Sequence, residues 1–144
     1  MTEANNSLTV EDYRSLAQFR HYLRRFMSFS TAAAEAEGLP TQQHQALLAI
    51  KAQADHQAMS IGDLAEWLVI APHSATELVG RLVEANLAQR ETDPDDRRRQ
   101  RIILTPKADD LLQRLTETHL AELRSLAPNL IALLEELNQA DKAR

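Results

Sequence analysis

The chain contains no cysteine, which excludes disulfides and thiol-based redox sensing. Glycine is scarce as well. Gly38, Gly62 and Gly80 are the only three, each isolated, so no glycine-rich loop exists to cradle a phosphate. No run approaches the about 20 consecutive apolar residues a membrane span requires, and the polar start Met1-Thr2-Glu3-Ala4-Asn5-Asn6-Ser7 lacks the apolar core of a signal peptide. These absences lead us to expect a cytoplasmic protein with no membrane partner. Basic residues are the minority charge, 16 against 21 acids for a net charge of −5, which on its own argues against a nucleic-acid partner.

What is present is organised more sharply than the totals suggest. Five of the basic residues, Arg90, Arg97, Arg98, Arg99 and Arg101, fall within residues 90–101, while acids populate the two ends. An acidic body with one basic edge can dock on DNA while its remaining surface discourages unspecific adhesion. A chain of 144 residues can bury about 68–70% of its unfolded surface, enough for one domain without covalent staples.

Between Met59 and Leu87 the apolar period is helical in two pieces. Ile61, Leu64, Ala65 and Leu68 recur at i, i+3, i+4 and i+7, with Ser60 as N-cap and Asp63 three residues on in the manner of a capping box. Val69-Ile70-Ala71 interrupts, and Pro72 suits the first turn of a second helix. Ala75, Leu78, Val79, Leu82 and Val83 form the apolar stripe of that helix, so its other face presents His73, Thr76, Glu77, Gly80, Arg81 and Glu84, with Ser74 at the edge. Two short helices joined by a tight turn make a helix-turn-helix whose second member is the recognition helix.

A strand, a turn and a second strand follow. Asp93-Pro94-Asp95-Asp96 has hairpin-loop chemistry, because proline fixes φ and aspartate accepts hydrogen bonds from nearby backbone. Arg97, Arg98 and Arg99 come next, so three permanently charged guanidiniums crowd the tip, suited to phosphates and to a narrow minor groove. The plainer alternative is a solvated arginine cluster paired with the neighbouring aspartates.

In the order helix, turn, helix, strand, arginine hairpin, strand, the segments Ile61–Leu68, Ser74–Leu82 and Asp96-Arg97-Arg98 followed by Leu104-Thr105-Pro106-Lys107 resemble the core of MarR-type transcriptional regulators. Thr41–Leu48 is similar to the helix preceding that core. One departure is Ala108, where the family often carries glycine, and alanine prolongs a helix better. The resemblance covers about residues 10–140 and implies a mainly α fold with a small β-hairpin wing, the N- and C-terminal helices forming a dimerisation domain. We therefore expect residues 1–144 to be a single such domain. Its parts are N-terminal dimerisation and linking helices over 8–54, a winged helix-turn-helix over 55–104 (helix-turn-helix 60–85, wing 88–104), and C-terminal dimerisation helices over 105–144.

The terminal segments fit that expectation. No Gly or Pro occurs from Val10 to Glu37, and Gly38-Leu39-Pro40 closes the run. Thr105 and Pro106 open a helix carrying Leu111, Leu112, Leu115, Leu123 and Leu126, which the sequence pattern ends at Pro128. A final helix then carries Leu130, Ile131, Leu133, Leu134 and Leu137. These leucines exceed what one small winged domain needs to cover, so a two-fold homodimer is expected, with a pseudo-palindromic operator whose half-sites lie about 10 base pairs apart.

The function implied is a sequence-specific DNA-binding transcriptional regulator, a dimeric repressor released from double-stranded DNA by a small ligand. The alternative is a winged-helix protein-interaction module without specific DNA binding. Candidate DNA contacts are His73, Ser74, Thr76, Glu77 and Arg81 on the recognition helix, Arg90 on the first strand, and Asp96, Arg97, Arg98 and Arg99 at the wing. Asp96 is expected to brace the Arg98 guanidinium. His21, Tyr22, Arg25, Phe26 and Phe29 are candidates for a pocket that binds an aromatic acid, as in many members of the resembled family. The other reading of these aromatics is simple packing against partner helices, and both stay open.

No metal or cofactor is expected, since no two of the five histidines, His21, His44, His56, His73 and His119, are three or four residues apart. No enzymatic reaction suggests itself either. His73 and Ser74 are neighbours on a helix and point apart, and the acid pairs Asp95-Asp96 and Asp109-Asp110 lie where solvation is the default.

Overall fold

The computed structural model describes residues 7–142; the polar segment Met1–Asn6, read above for targeting, lies outside the described residues. Five helices and one hairpin follow in the order α1 (Val10–Ala36), α2 (Thr41–Ala52), α3 (Ile61–Leu68), α4 (Pro72–Glu84), β1 (Ala88–Thr92), β2 (Gln100–Leu104) and α5 (Pro106–Lys142). The strands pair antiparallel with Ala88 opposite Leu104 and Thr92 opposite Gln100. The mainly α winged-helix expectation is met.

Local codes set the boundaries. Ser60 and Asp63 complete a capping box at the start of α3, the Ser60 hydroxyl accepting from the Asp63 N–H at 3.1 Å and the Asp63 carboxylate accepting from the Ser60 N–H at 3.0 Å. Pro72 occupies the first turn of α4. Thr105 caps α5, its hydroxyl accepting from the Ala108 N–H at 3.2 Å. Three helices end in the same way, in a left-handed residue followed by an apolar one whose N–H reaches back five residues. The pairs are Gly38 with Leu39 bonded to Ala34, Val69 with Ile70 bonded to Ala65, and Asn86 with Leu87 bonded to Leu82.

One boundary departs from the sequence reading. Pro128 does not end a helix, and α5 runs unbroken through it to Lys142. Proline removes one backbone hydrogen bond, which in a helix interior costs about 3 kcal/mol. Two features offset this. The apolar series Leu123, Leu126, Leu130, Leu133, Leu137 keeps its three-four spacing across the proline, so a break would scatter that face. Pro128 and Arg124 are also exposed, so water can satisfy the carbonyl left without a donor.

By compactness the chain forms two units, residues 7–30 with 119–142, and Thr31–Thr118, so the division falls inside α1 and α5 rather than near 54 and 104. The second unit holds a contiguous core that includes Leu47, Leu64, Val79, Leu82 and Ile102, all essentially inaccessible to solvent. In the first unit the described buried residues are Ser30 and Leu133. Among the described residues no helix is long and apolar enough to cross a membrane.

Candidate nucleic-acid interface

The recognition helix α4 buries Ala75, Leu78, Val79 and Leu82 against the core, which turns the expected polar face outward. His73, Thr76, Glu77 and Arg81 are exposed, and Ser74 is half-buried. Thr76 is partly committed, since its hydroxyl donates to the Pro72 carbonyl of its own helix at 3.1 Å. Arg90 stands on β1, exposed, with its guanidinium lying alongside α4 at Gly80. The base of the wing and α4 therefore adjoin at Arg90 and Gly80.

The wing loop is built by aspartates. Asp93 is buried, at 6% exposure, and accepts from the Asp95 N–H at 2.9 Å. Its own N–H donates to the Arg99 carbonyl, and the Arg99 N–H to the Asp96 carbonyl, closing the loop. Asp96 does not brace the Arg98 guanidinium as expected. Its carboxylate accepts from the Arg98 backbone N–H at 3.0 Å, because the short side chain reaches the main chain two residues on more readily than the end of a long one. It orients the backbone from which Arg98 projects.

The three arginines separate into two kinds. Arg97 and Arg98 are exposed, and no ion pair to either occurs among the described residues. Arg99 folds inward, unlike its two neighbours, with its side chain 28% exposed. One of its terminal nitrogens donates to the Asp63 carboxylate and to the Ala58 carbonyl, and its Nε lies 3.8 Å from an Asp93 oxygen. Arg101 is likewise paired, across the strands to Glu91 at 3.0 Å. The Asp63 carboxyl is held below the ordinary aspartate value, first by the Ser60 backbone N–H, against the opposing effect of burial, and further by the Ser60 hydroxyl and Arg99. A groove of about 540 Å3 opens between the α3 cap and the wing, bordered by Ser60, Gly62, Asp96, Arg97 and Arg98.

The aromatic candidates lie in the other unit. Tyr22, Phe26 and Phe29 are half-buried, while His21 and Arg25 are exposed. The structure brings Phe26 and Phe29 together with a residue not proposed from sequence, His119, whose ring stands edge-on to both at centroid distances of 6.1 and 5.5 Å. His119 Nε2 is 2.7 Å from the buried Ser30 hydroxyl. His21 stays beside Tyr22, their ring centroids 6.1 Å apart. Among the described residues no three His, Asp or Glu side chains converge on a metal-sized site.

Comparison with known proteins agrees with this geometry. Residues 37–99 match the MarR family profile. The chain is 37% identical over 75 residues to the transcriptional activatory protein BadR of Rhodopseudomonas palustris, a match covering 52% of this chain and 43% of that protein. It thus spans under half the length of that relative. Among solved structures it is similar to AbsC of Streptomyces coelicolor, with a TM-score of 0.74 at 22% identity over 96% of this chain and 93% of that one. It is also similar to a MepR mutant of S. aureus bound to an oligodeoxyribonucleotide, with a TM-score of 0.62 at 23% identity over 95% and 93% of the two chains. At such identities these structures speak to the fold. The profile match covers residues 37–99, which hold the helix-turn-helix and the first part of the wing, and over that segment the chain is similar to the MarR family.

Proposed function

We propose that this chain is a DNA-binding transcriptional regulator that works in the cytoplasm as a two-fold dimer. The observation that carries the reading is the pair Arg97 and Arg98, exposed and without ion pairs among the described residues at the end of a hairpin whose Arg90 lies beside Gly80 of α4. A helix of that kind fits a major groove, and unpaired guanidiniums fit phosphates or a narrow minor groove beside it. On this reading Arg98, Arg97, Arg90 and Arg81 supply the charge, His73, Ser74 and Glu77 face base edges or backbone, and Asp96 orients the wing backbone. The DNA-bound MepR mutant, similar in fold, supports the partner class.

The finer reading is a repressor released by a small aromatic acid, with Phe26 and Phe29 taking the ring and His119 a polar substituent. The relative named an activatory protein favours the opposite sign of control. A reporter fused to the regulated promoter decides between them: deletion of the gene raises output for a repressor and lowers it for an activator.

The binding test is a titration into a labelled duplex from upstream of the chain's own gene, beside a shuffled duplex, at several salt concentrations. Tight binding to the native duplex alone, falling steeply with salt as counterions are released, is expected. Equal, weak binding to both, followed by failure to enrich any sequence from genomic fragments, would favour the interaction-module reading.

A further inference from the structure

We infer that Arg99 is a positioning residue: it ties the wing to the cap of α3 and so sets the stance from which Arg97 and Arg98 meet DNA, without touching DNA itself. The inference rests on the DNA-binding reading above. It starts from a contrast among three adjacent identical residues. Arg97 and Arg98 are exposed, whereas the Arg99 side chain is only 28% exposed and lies between carboxylates from two different elements, Asp63 of α3 and Asp93 of the wing loop.

Each contact has a physical reason. Asp93 is almost wholly buried, and a buried carboxylate requires a nearby cation as well as its backbone donor. Asp63 already holds the α3 cap, so a guanidinium bonded to it is fixed to the first turn of that helix. The further bond to the Ala58 carbonyl at 3.3 Å attaches the same group to the strand-like segment before α3. Arg99 therefore joins the wing loop, the α3 cap and the preceding segment through one planar, multiply donating group, which lysine could not replace in full.

Closer to its base the hairpin is attached by backbone, Ile102 N–H to the Met59 carbonyl at 2.9 Å and a bridge between Ser60 and Arg101. Beyond Arg101 a two-stranded ribbon has little stiffness of its own. Arg99 is the tie nearest the tip. Without it Arg97 and Arg98 sample many orientations, and that freedom must be lost on binding. Arg99 is already neutralised by its carboxylates, so it displaces no counterion when the protein meets DNA.

The salt dependence separates a positioning residue from a contact. Full-length wild type, Arg98→Ala, Arg99→Gln, Arg99→Lys, Asp63→Asn and the Arg99→Gln/Asp63→Asn double variant are titrated into the same duplex across a salt series. Arg98→Ala is expected to weaken binding and reduce the slope of log affinity against log salt by about 1. Arg99→Gln is expected to weaken binding about tenfold with the slope unchanged, Asp63→Asn to do the same, and the double variant to be no weaker than either. Arg99→Lys should recover part of the loss. A slope reduced by about 1 in Arg99→Gln, with Asp63→Asn binding as wild type, would make Arg99 a DNA contact and overturn the proposal.

A second readout needs no DNA. Trypsin cleavage after Arg97 and Arg98 should be several-fold faster in Asp63→Asn than in wild type, with the helices still protected. Unchanged cleavage at the tip would overturn the clamp whatever the duplex titrations give. Faster cleavage in a chain whose wild type binds no duplex would leave the clamp standing as a fact of the wing and sink the DNA reading together with the role assigned here.

Discussion

The two compact units treat their apolar residues in opposite ways. In Thr31–Thr118, leucines and isoleucines from four helices and the hairpin close over one another, and the largest of them are inaccessible to water. In the unit formed by the two chain ends, Leu16, Leu23, Met27, Leu120, Ile131 and Leu134 are all more than 40% exposed. A soluble protein rarely leaves so many large apolar side chains on two helices in water. One unit is complete within the chain, and the other has the composition of half an interface. The simplest occupant of the other half is a second copy, because two-fold assembly presents the same face twice.

That comparison can be broken at either unit, and the largest effect is expected at the exposed one. Leu134→Glu places a charge on a face proposed to be buried twice per dimer. Each lost leucine removes about 1.5–3 kcal/mol, and two-fold symmetry doubles it, so the dimer dissociation constant should rise by roughly 100-fold or more. Sedimentation should report a mass halved at micromolar concentration, while hydrogen exchange over α3 and α4 stays slow. A variant that remains dimeric would remove the exposed face from the interface.

The complementary break is in the closed unit. Leu64 is fully buried in α3, and Leu64→Ala should lower the unfolding free energy by about 2–5 kcal/mol through lost transfer energy and a residual cavity. Denaturant unfolding measures it. An effect below about 1 kcal/mol would mean that the core under the helix-turn-helix relaxes to fill the space.

How much of this was legible from the sequence depended on the range of the signal. The α3 cap, the first turn of α4 and the turn at Asp93 were readable because each is written within three or four residues and obeys local rules. Pro128 was misread by those same rules, since its effect was outweighed by an apolar pattern extending over several turns on both sides. The three wing arginines were identical as letters. Contacts with Asp63, 36 positions earlier, with Asp93 and with the Ala58 carbonyl distinguish Arg99 from its neighbours. His119 and Ser30 lie 89 residues apart, and no spacing rule joins them. Local grammar located the candidate surface; which of its charges remain available was decided by tertiary contacts.

A smaller effect sharpens the electrostatic side of the comparison. The Asp63 carboxyl is depressed below the ordinary value of 3.8, chiefly by the Ser60 backbone N–H and further by Arg99. A group whose folded value lies below its unfolded one adds stability above the unfolded value and loses it as pH falls through the folded one. Asp63→Asn should therefore be less stable than wild type near neutrality, and the gap should narrow as pH drops below 3.8. Acid unfolding of the two proteins side by side tests the sign, and a gap that widens on acidification would contradict it.

The smallest effect lies at the turn between α3 and α4, where the three similar helix ends differ in one residue. Gly38 adopts the left-handed conformation at no steric cost, and Asn86 tolerates it. Val69 does neither, because a β-branched side chain at φ 56° crowds the backbone. It gains little from burial in return, being 90% exposed. The conformation is imposed by the bonds on either side, Val69 N–H to the Glu66 carbonyl and Ile70 N–H to that of Ala65, which hold the turn of the helix-turn-helix. Val69→Gly should relieve strain of about 1–2 kcal/mol and give back part of it through the greater freedom of the unfolded chain. The net gain should be about 0.5–1 kcal/mol, a rise in melting temperature of roughly 2 °C. Asn86→Gly should change it less. If Val69→Gly lowers the melting temperature instead, valine is stabilising this turn through its restriction of the unfolded chain, and the positive φ carries little strain.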